Sequence, residues 1–239
     1  RLASLKHADT FGIDFHKTGY MPYVSSMIIA RDKQDLAELG RESEMKTPLF
    51  HEEEAYNPGK FSLETSRPAA NMVATWMTLQ ALGEEGYQVL LGNAQEIAQI
   101  VRDLIEAHAQ ETGLAIVNRR PFGSDVFVRC YPPGTDTDDA YRRELQDDRF
   151  LALNTEYTRA FHAWISEHRA EGDNAVTLSK TSAAFYTATG APVVALRIYV
   201  LSPYADAASA TALVARIEDA KSAFDATRAP FVEHHRKSI

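Results

Sequence analysis

The chain has 239 residues, 45% of them hydrophobic and 24% charged, with a formal net charge of −8. These are globular proportions, which exclude a disordered, collagen-like or coiled-coil chain. The acidic balance argues against a nucleic-acid-binding surface, and no apolar window approaches the roughly 18 residues of a membrane-spanning helix. The single cysteine, Cys130, cannot form an internal disulfide, so a cytoplasmic location is expected.

Leu2 to His7 is short and amphipathic. Ala8 to Phe15 alternates apolar and polar residues, as a strand does. His16 to Tyr20 follows as a turn, and Val24 to Ala30 predicts a second, buried strand. Asp35 to Leu39 reads as a helical turn ended by Gly40. Residues 41–60 are polar, contain Pro48, Pro58 and Gly59, and lack a clean period. A loop of that length inside a compact domain is usually functional.

Helical spacing begins at Arg67, with Met72, Trp76, Leu79 and Leu82 on one face and a stop at Gly83. A second helix is predicted from Glu84 to about Glu111, presenting Leu90, Ile97, Val101, Leu104 and Ile105, with Gly113 as its cap. Leu114 to Asn118 and Asp125 to Tyr131 predict two strands of a new sheet. A helix from about Thr137 to Glu171 is expected to break near Gln146 to Phe150. Ala175 to Lys180 and Val193 to Leu201 predict further strands, and Asp206 to Ala226 a last helix. The run His234 to Lys237 is expected as a solvated tail, Glu52 to Glu54 as solvated loop charge, and Cys130 as a small core residue. The predicted division is 1–112 and 113–239, the second part a small α+β domain.

The sharpest chemical feature is His16-Lys17 at the end of a strand. The ends of sheet strands are where α/β folds place reactive groups. Lysine is the residue that forms a Schiff base with pyridoxal phosphate. By itself the dipeptide is weak, because such pairs are common on surfaces.

Its context is specific. Asp14-Phe15-His16-Lys17-Thr18-Gly19-Tyr20-Met21-Pro22 resembles the D/N-x-H-K-x-G-x-x-P signature of the group II pyridoxal-phosphate-dependent amino-acid decarboxylases. Ala8-Asp9-Thr10 is similar to the A-D-S/T that leads into their lysine strand. Phe61-Ser62-Leu63-Glu64-Thr65-Ser66-Arg67-Pro68 resembles their L-E-G/T-S/T-R/K segment. Trp76, Leu79, Leu82-Gly83 and Gly86-Tyr87 fit their helix pair, and Ala195 to Tyr199 with Ser202-Pro203 their last strand.

The resemblance implies an α/β chain: the C-terminal part of the large domain of a fold type I pyridoxal-phosphate enzyme, followed by the small α+β domain. It implies decarboxylation of an L-amino acid to an amine and CO2. Lys17 would carry the cofactor, His16 would contact its phosphate, and Thr18 and Ser25 are further hydroxyl candidates for holding it. Residues 41–60 would be the catalytic loop, with either Tyr56 or His51 as proton donor. Arg197, in an apolar strand, would need an anionic partner: a substrate carboxylate or a structural acid.

In the resembled family the acid that holds the pyridine nitrogen lies upstream of the lysine, and here 16 residues precede Lys17. The chain opens at Arg1 without a methionine. It is therefore expected to be the C-terminal half of an enzyme, acting as a homodimer with the N-terminal half supplied elsewhere. No metal is expected. A non-catalytic fragment or interaction module, or another pyridoxal-phosphate reaction (aldehyde synthase, lyase or aminotransferase), is the alternative.

Overall fold

The structure is a computed structural model. It describes residues 2–32, 34–35, 68–120, 123–168 and 176–238. The predicted turn at Asp35 to Leu39 and the loop 41–60 lie almost wholly outside the described residues.

The chain divides into two compact units, Arg1–Gln88 and Val89–Ile239.

In the first unit a 3₁₀ turn, Leu2–His7, leads into β1 (Thr10–Asp14), which pairs antiparallel with β2 (Ser26–Ala30). Arg31 ties the ribbon to the turn, donating to the carbonyls of Lys6 and Ala8 at 2.7 and 2.8 Å. β2 was expected to be buried, and it is not: Met27, Ile28 and Ile29 are 40%, 66% and 37% exposed. Apolarity on both faces marks a strand suited to burial between layers. A two-stranded ribbon cannot supply such layers, and among the described residues nothing in this unit does.

The helical run α1 (Ala70–Ala107) is broken at Gly83, whose φ of 57° and ψ of −168° are non-helical. The break falls at the predicted stop, where a residue without Cβ adopts a positive φ at little cost. Before it, the predicted apolar stripe points outward: Met72, Trp76 and Leu79 are exposed, and Thr75 is buried instead. The helix turns its polar side inward to reach the β1–β2 turn.

The second unit is built on the antiparallel sheet β3-β4-β6-β5, comprising β3 (Leu114–Ile116), β4 (Asp125–Cys130), β5 (Ser179–Tyr186) and β6 (Pro192–Tyr199). A short helix, α2 (Ala109–Thr112), precedes β3 and is capped by Gly113 in the left-handed region. The predicted helix after residue 136 is two helices, α3 (Thr137–Glu144) and α4 (Asp148–Glu167), broken where expected. Each starts on an aspartate whose carboxylate accepts from free backbone amides, Asp136 from Asp139 and Asp147 from Arg149 and Phe150. α5 (Ala207–Thr227) starts on Asp206 and Ser209 in a reciprocal capping box.

Alternate strand residues feed two cores. On one face Ile116, Val126, Val128, Cys130, Leu196 and Ile198 pack with Ile97 and Val101 of α1, Tyr157 and Phe161 of α4, and Ile217 and Phe224 of α5. On the other, Ala115, Val117, Tyr131 and Ala195 pack with Ala140 and Tyr141 of α3 and with Phe150. Cys130 is buried in the first core, and its thiol is pushed up to about 12 by that burial.

Two predictions need correction here. The strand expected at Ala175 to Lys180 begins at Ser179 and continues to Tyr186, with a register shift between Thr181 and Phe185. The C-terminal polar run is solvated at His234, Arg236 and Lys237 but not at His235, and it is helical. It lies in α6 (Ala229–Ser238), where His235 is 1% exposed and packs its ring 4.2 Å from Phe231 and 5.5 Å from Tyr157.

The first core also holds a buried cation. Lys221 Nζ donates to Asp225 Oδ2 at 2.5 Å and to Tyr157 Oη at 3.2 Å, and Tyr157 donates to Asp225 Oδ1 at 2.5 Å. Burial pulls the Lys221 amine below its ordinary value, and Asp225 opposes that pull. An unfolded lysine titrates near 10.5, so between the folded and unfolded values the unfolded chain binds the extra proton. In that window stability rises with pH, and it is lost as pH falls. In Asp225→Asn the opposing charge is gone and the window extends to lower pH. Urea unfolding of this variant between about pH 6 and 9 is expected to show stability rising with pH more steeply than in the unsubstituted chain. The ceiling is about 1.4 kcal/mol per pH unit. A flat or falling profile rules this out.

Candidate active site

The site begins where β1 ends. The chain turns over residues 15–19, with the Lys17 amide donating to Asp14 O at 3.2 Å, the Tyr20 amide to Lys17 O at 3.0 Å and the Met21 amide to Phe15 O at 3.1 Å. So tight a turn explains Gly19: a Cβ there would lie 2.5 Å from Phe15 O. Tyr87, from the helix, donates its hydroxyl to Gly19 O at 3.0 Å and braces the turn. Burial raises that phenol above its ordinary value.

Lys17 projects from this turn with its side chain 48% exposed, and its Nζ lies 2.6 Å from Asp14 Oδ2. The other oxygen of Asp14 accepts from Ser26 Oγ at 2.7 Å. Asp14 and Ser26 are direct partners in the β1–β2 register. The hydrogen bond from Lys17, and then that from Ser26, holds the Asp14 carboxyl below the usual carboxylate range.

His16 faces the other strand. Its Nδ1 lies 2.9 Å from Ser25 O, and its ring centroid is 4.2 Å from that of Tyr23. The same Nδ1 lies 3.2 Å from the Ser25 amide, so it donates to the carbonyl in one tautomer and accepts from the amide in the other; the carbonyl also accepts from the His16 amide at 3.1 Å. Ser25 is buried, and its hydroxyl lies 2.6 Å from Thr75 Oγ1. Because Thr75 donates to Asn71 O at 2.7 Å, Ser25 is the donor to Thr75. Asn71 in turn donates to Val24 O at 2.7 Å. Thr18 is half-buried in the turn.

One strand–turn–strand element therefore assembles Lys17, His16, Thr18 and Ser25. Tyr56 and His51 lie outside the described residues. Arg197 is in β6 of the second unit, where its Nε donates to Asp125 Oδ1 at 2.5 Å and its guanidinium lies 4.7 Å from the Tyr199 ring. The structural-acid alternative for Arg197 thus has a partner on the neighbouring strand. The sequence reading attached no role to Asp14, although it is three residues from Lys17. Its second anchor, Ser26, becomes visible only with the strand register.

The family model for the pyridoxal-dependent decarboxylase conserved domain matches residues 1–127. The chain is 26% identical over 152 residues to an L-2,4-diaminobutyrate decarboxylase of Acinetobacter baumannii, a match covering 62% of this chain and 29% of that protein. It is 31% identical over 94 residues to the L-2,4-diaminobutyrate decarboxylase of Rhizobium meliloti (strain 1021), covering 38% of this chain and 18% of that one. Among solved structures it is similar to Catharanthus roseus tryptophan decarboxylase in complex with L-tryptophan, with a TM-score of 0.57 at 15% identity over 93% of this chain and 38% of the other. It is also similar to mouse CSAD, with a TM-score of 0.58 at 15% identity over 92% and 41%. At these identities the structural likeness is one of fold, the α/β fold type I that the sequence predicts. The chain spans less than a third of the length of both curated relatives.

Proposed function

The chain belongs to the pyridoxal-dependent decarboxylase family, and on that premise we propose that it forms part of an enzyme that decarboxylates an L-amino acid to its amine and CO2, with Lys17 as the residue that carries the cofactor. The observation that supports this reading is the Lys17 amine, reachable from solvent at a strand end and held there by Asp14. The residues present fit the lysine-bearing side of a pyridoxal phosphate site: a primary amine, an imidazole one residue away, and a rigid turn beneath both. Asp14 is already paired with Lys17 and Ser26 on that side.

When bound, pyridoxal phosphate supplies an electron sink for the pair left behind as the α-carboxylate departs as CO2. The rest is the work of the chain. Lys17 Nζ binds the cofactor and must lose a proton to do so. His16, held by Ser25 and packed on Tyr23, would offer its ring to an anionic group. Tyr87 and Gly19 keep the turn from moving as the amine exchanges partners. Tyr56 or His51 would move the proton that completes the amine product.

Both curated relatives are L-2,4-diaminobutyrate decarboxylases, which makes a diamino acid the first substrate to try, with aromatic amino acids second. The reading carries with it a homodimer, tested by mass in solution. The deciding experiment is borohydride reduction of the full-length protein after incubation with pyridoxal phosphate. The mass label is expected on the Lys17 peptide and absent from Lys17→Arg. A label that stays elsewhere and ignores Lys17 would overturn the assignment and favour the non-catalytic alternative.

A further inference from the structure

The two oxygens of Asp14 have separate jobs. Oδ2 meets Lys17 Nζ at 2.6 Å, and Oδ1 accepts from Ser26 Oγ at 2.7 Å. Because Asp14 and Ser26 are opposed in the strand ladder, the carboxylate is aimed by the sheet and not by a loose loop. The Lys17 amide, bonded to Asp14 O, closes the turn that folds the lysine back over its partner. The titratable groups that act on Asp14 are Lys17 and, more weakly, His16. Ser26 Oγ also lies 3.4 Å from His16 Nδ1, which joins Lys17, Asp14, Ser26 and His16 in one row.

We propose that Asp14, clamped by Ser26, is the positioning residue that receives the Lys17 ammonium whenever the lysine does not carry the cofactor. It holds the lysine at the strand end in its protonated, non-nucleophilic form. The inference rests on the reading of Lys17 as the cofactor-bearing lysine and adds to it where that lysine waits. It also explains why an acid sits beside a residue that must at other times be neutral: the carboxylate stabilises the charged amine between reactive events. Lys17 is a nucleophile only once a proton has left Nζ.

The test uses the full-length protein stripped of cofactor and limiting acetic anhydride, between about pH 6 and 10. Peptide masses report acetylation of Lys17 against Lys6 as internal reference. Asp14→Asn keeps an acceptor but removes the charge. It is expected to speed Lys17 acetylation near neutral pH by up to about fivefold, the size an exposed ion pair supports, and to move its pH profile to lower pH. Ser26→Ala frees one oxygen of Asp14 and is expected to give a smaller change in the same direction. An unchanged ratio of Lys17 to Lys6 labelling in both variants, or an equal rise at both lysines, overturns the proposal. If Asp14→Asn does not fold, Ser26→Ala decides by itself. Borohydride trapping on unsubstituted Lys17 is independent of these ratios: its failure removes the cofactor reading, whereas unchanged ratios remove only the role of Asp14.

Discussion

Replacing Glu144 by alanine is expected to destabilise the second unit by about 3–5 kcal/mol, the cost of leaving a buried charge without its partner. Arg129 and Glu144 are both 0% exposed, with Nη2 2.7 Å from Oε2 and Nε 3.1 Å from Oε1. The carboxylate also accepts from Tyr131 Oη at 3.1 Å and Asn154 Nδ2 at 3.1 Å. Truncation therefore strands three donors, one of them charged, in a core where water cannot replace the acceptor. A domain with a total stability of about 5–15 kcal/mol loses a large share of it. The pair itself is not the source of that stability. Taking both charges out of water costs about as much as their attraction returns, so Arg129→Met with Glu144→Leu is expected to recover most of the loss. Recovery will be incomplete, since Arg129 also donates to Val194 O at 2.8 Å and to Thr155 Oγ1 at 3.2 Å. Urea unfolding of the single and double variants measures both numbers. A single-variant loss below about 1 kcal/mol contradicts the account.

The same network shows what a sequence can and cannot reveal. The helix start at Asp206 was legible because this residue acts through its own next few residues, and the break at Gly83 was legible because it needs only one backbone angle. Arg129 with Glu144 was not, because a helix and a strand must first be brought together. β5 was misplaced because Thr181 to Tyr186 does not alternate cleanly, and the register shift there interrupts the two-residue period. The burial of His235 was hidden behind its charged neighbours: in a ten-residue helix, Val232 and His235 make too short a stripe to stand out. At the candidate site, His16 and Lys17 could be picked out from a local string. Which groups their side chains meet depends on which residues face each other across β1 and β2, and that is a property of the register. The exposure of β2 is the complementary case: its apolarity predicted burial, and among the described residues of this unit nothing covers it.

Lys17→Ala is expected to lower CO2 release from the full-length enzyme by at least about 10³-fold, mainly in kcat, since the lost group acts on the reacting atoms and not only on binding. Lys17→Arg separates two explanations. If Lys17 served as a charge, arginine would preserve function, because the guanidinium keeps the positive charge and reaches as far. If Lys17 serves as an amine that must shed its proton, arginine fails as badly as alanine, because a guanidinium is not deprotonated in proteins. The expected result is equal failure of the two variants. Asp14→Asn provides the scale for that comparison: its pair with Lys17 is exposed, so its influence is expected to stay within about fivefold and to vary with pH. A loss of about 10³-fold at Lys17 beside a change of at most about fivefold at Asp14 separates the group that reacts from the group that positions it. Turnover of either Lys17 variant within about tenfold of the unsubstituted enzyme would remove Lys17 from the chemistry altogether.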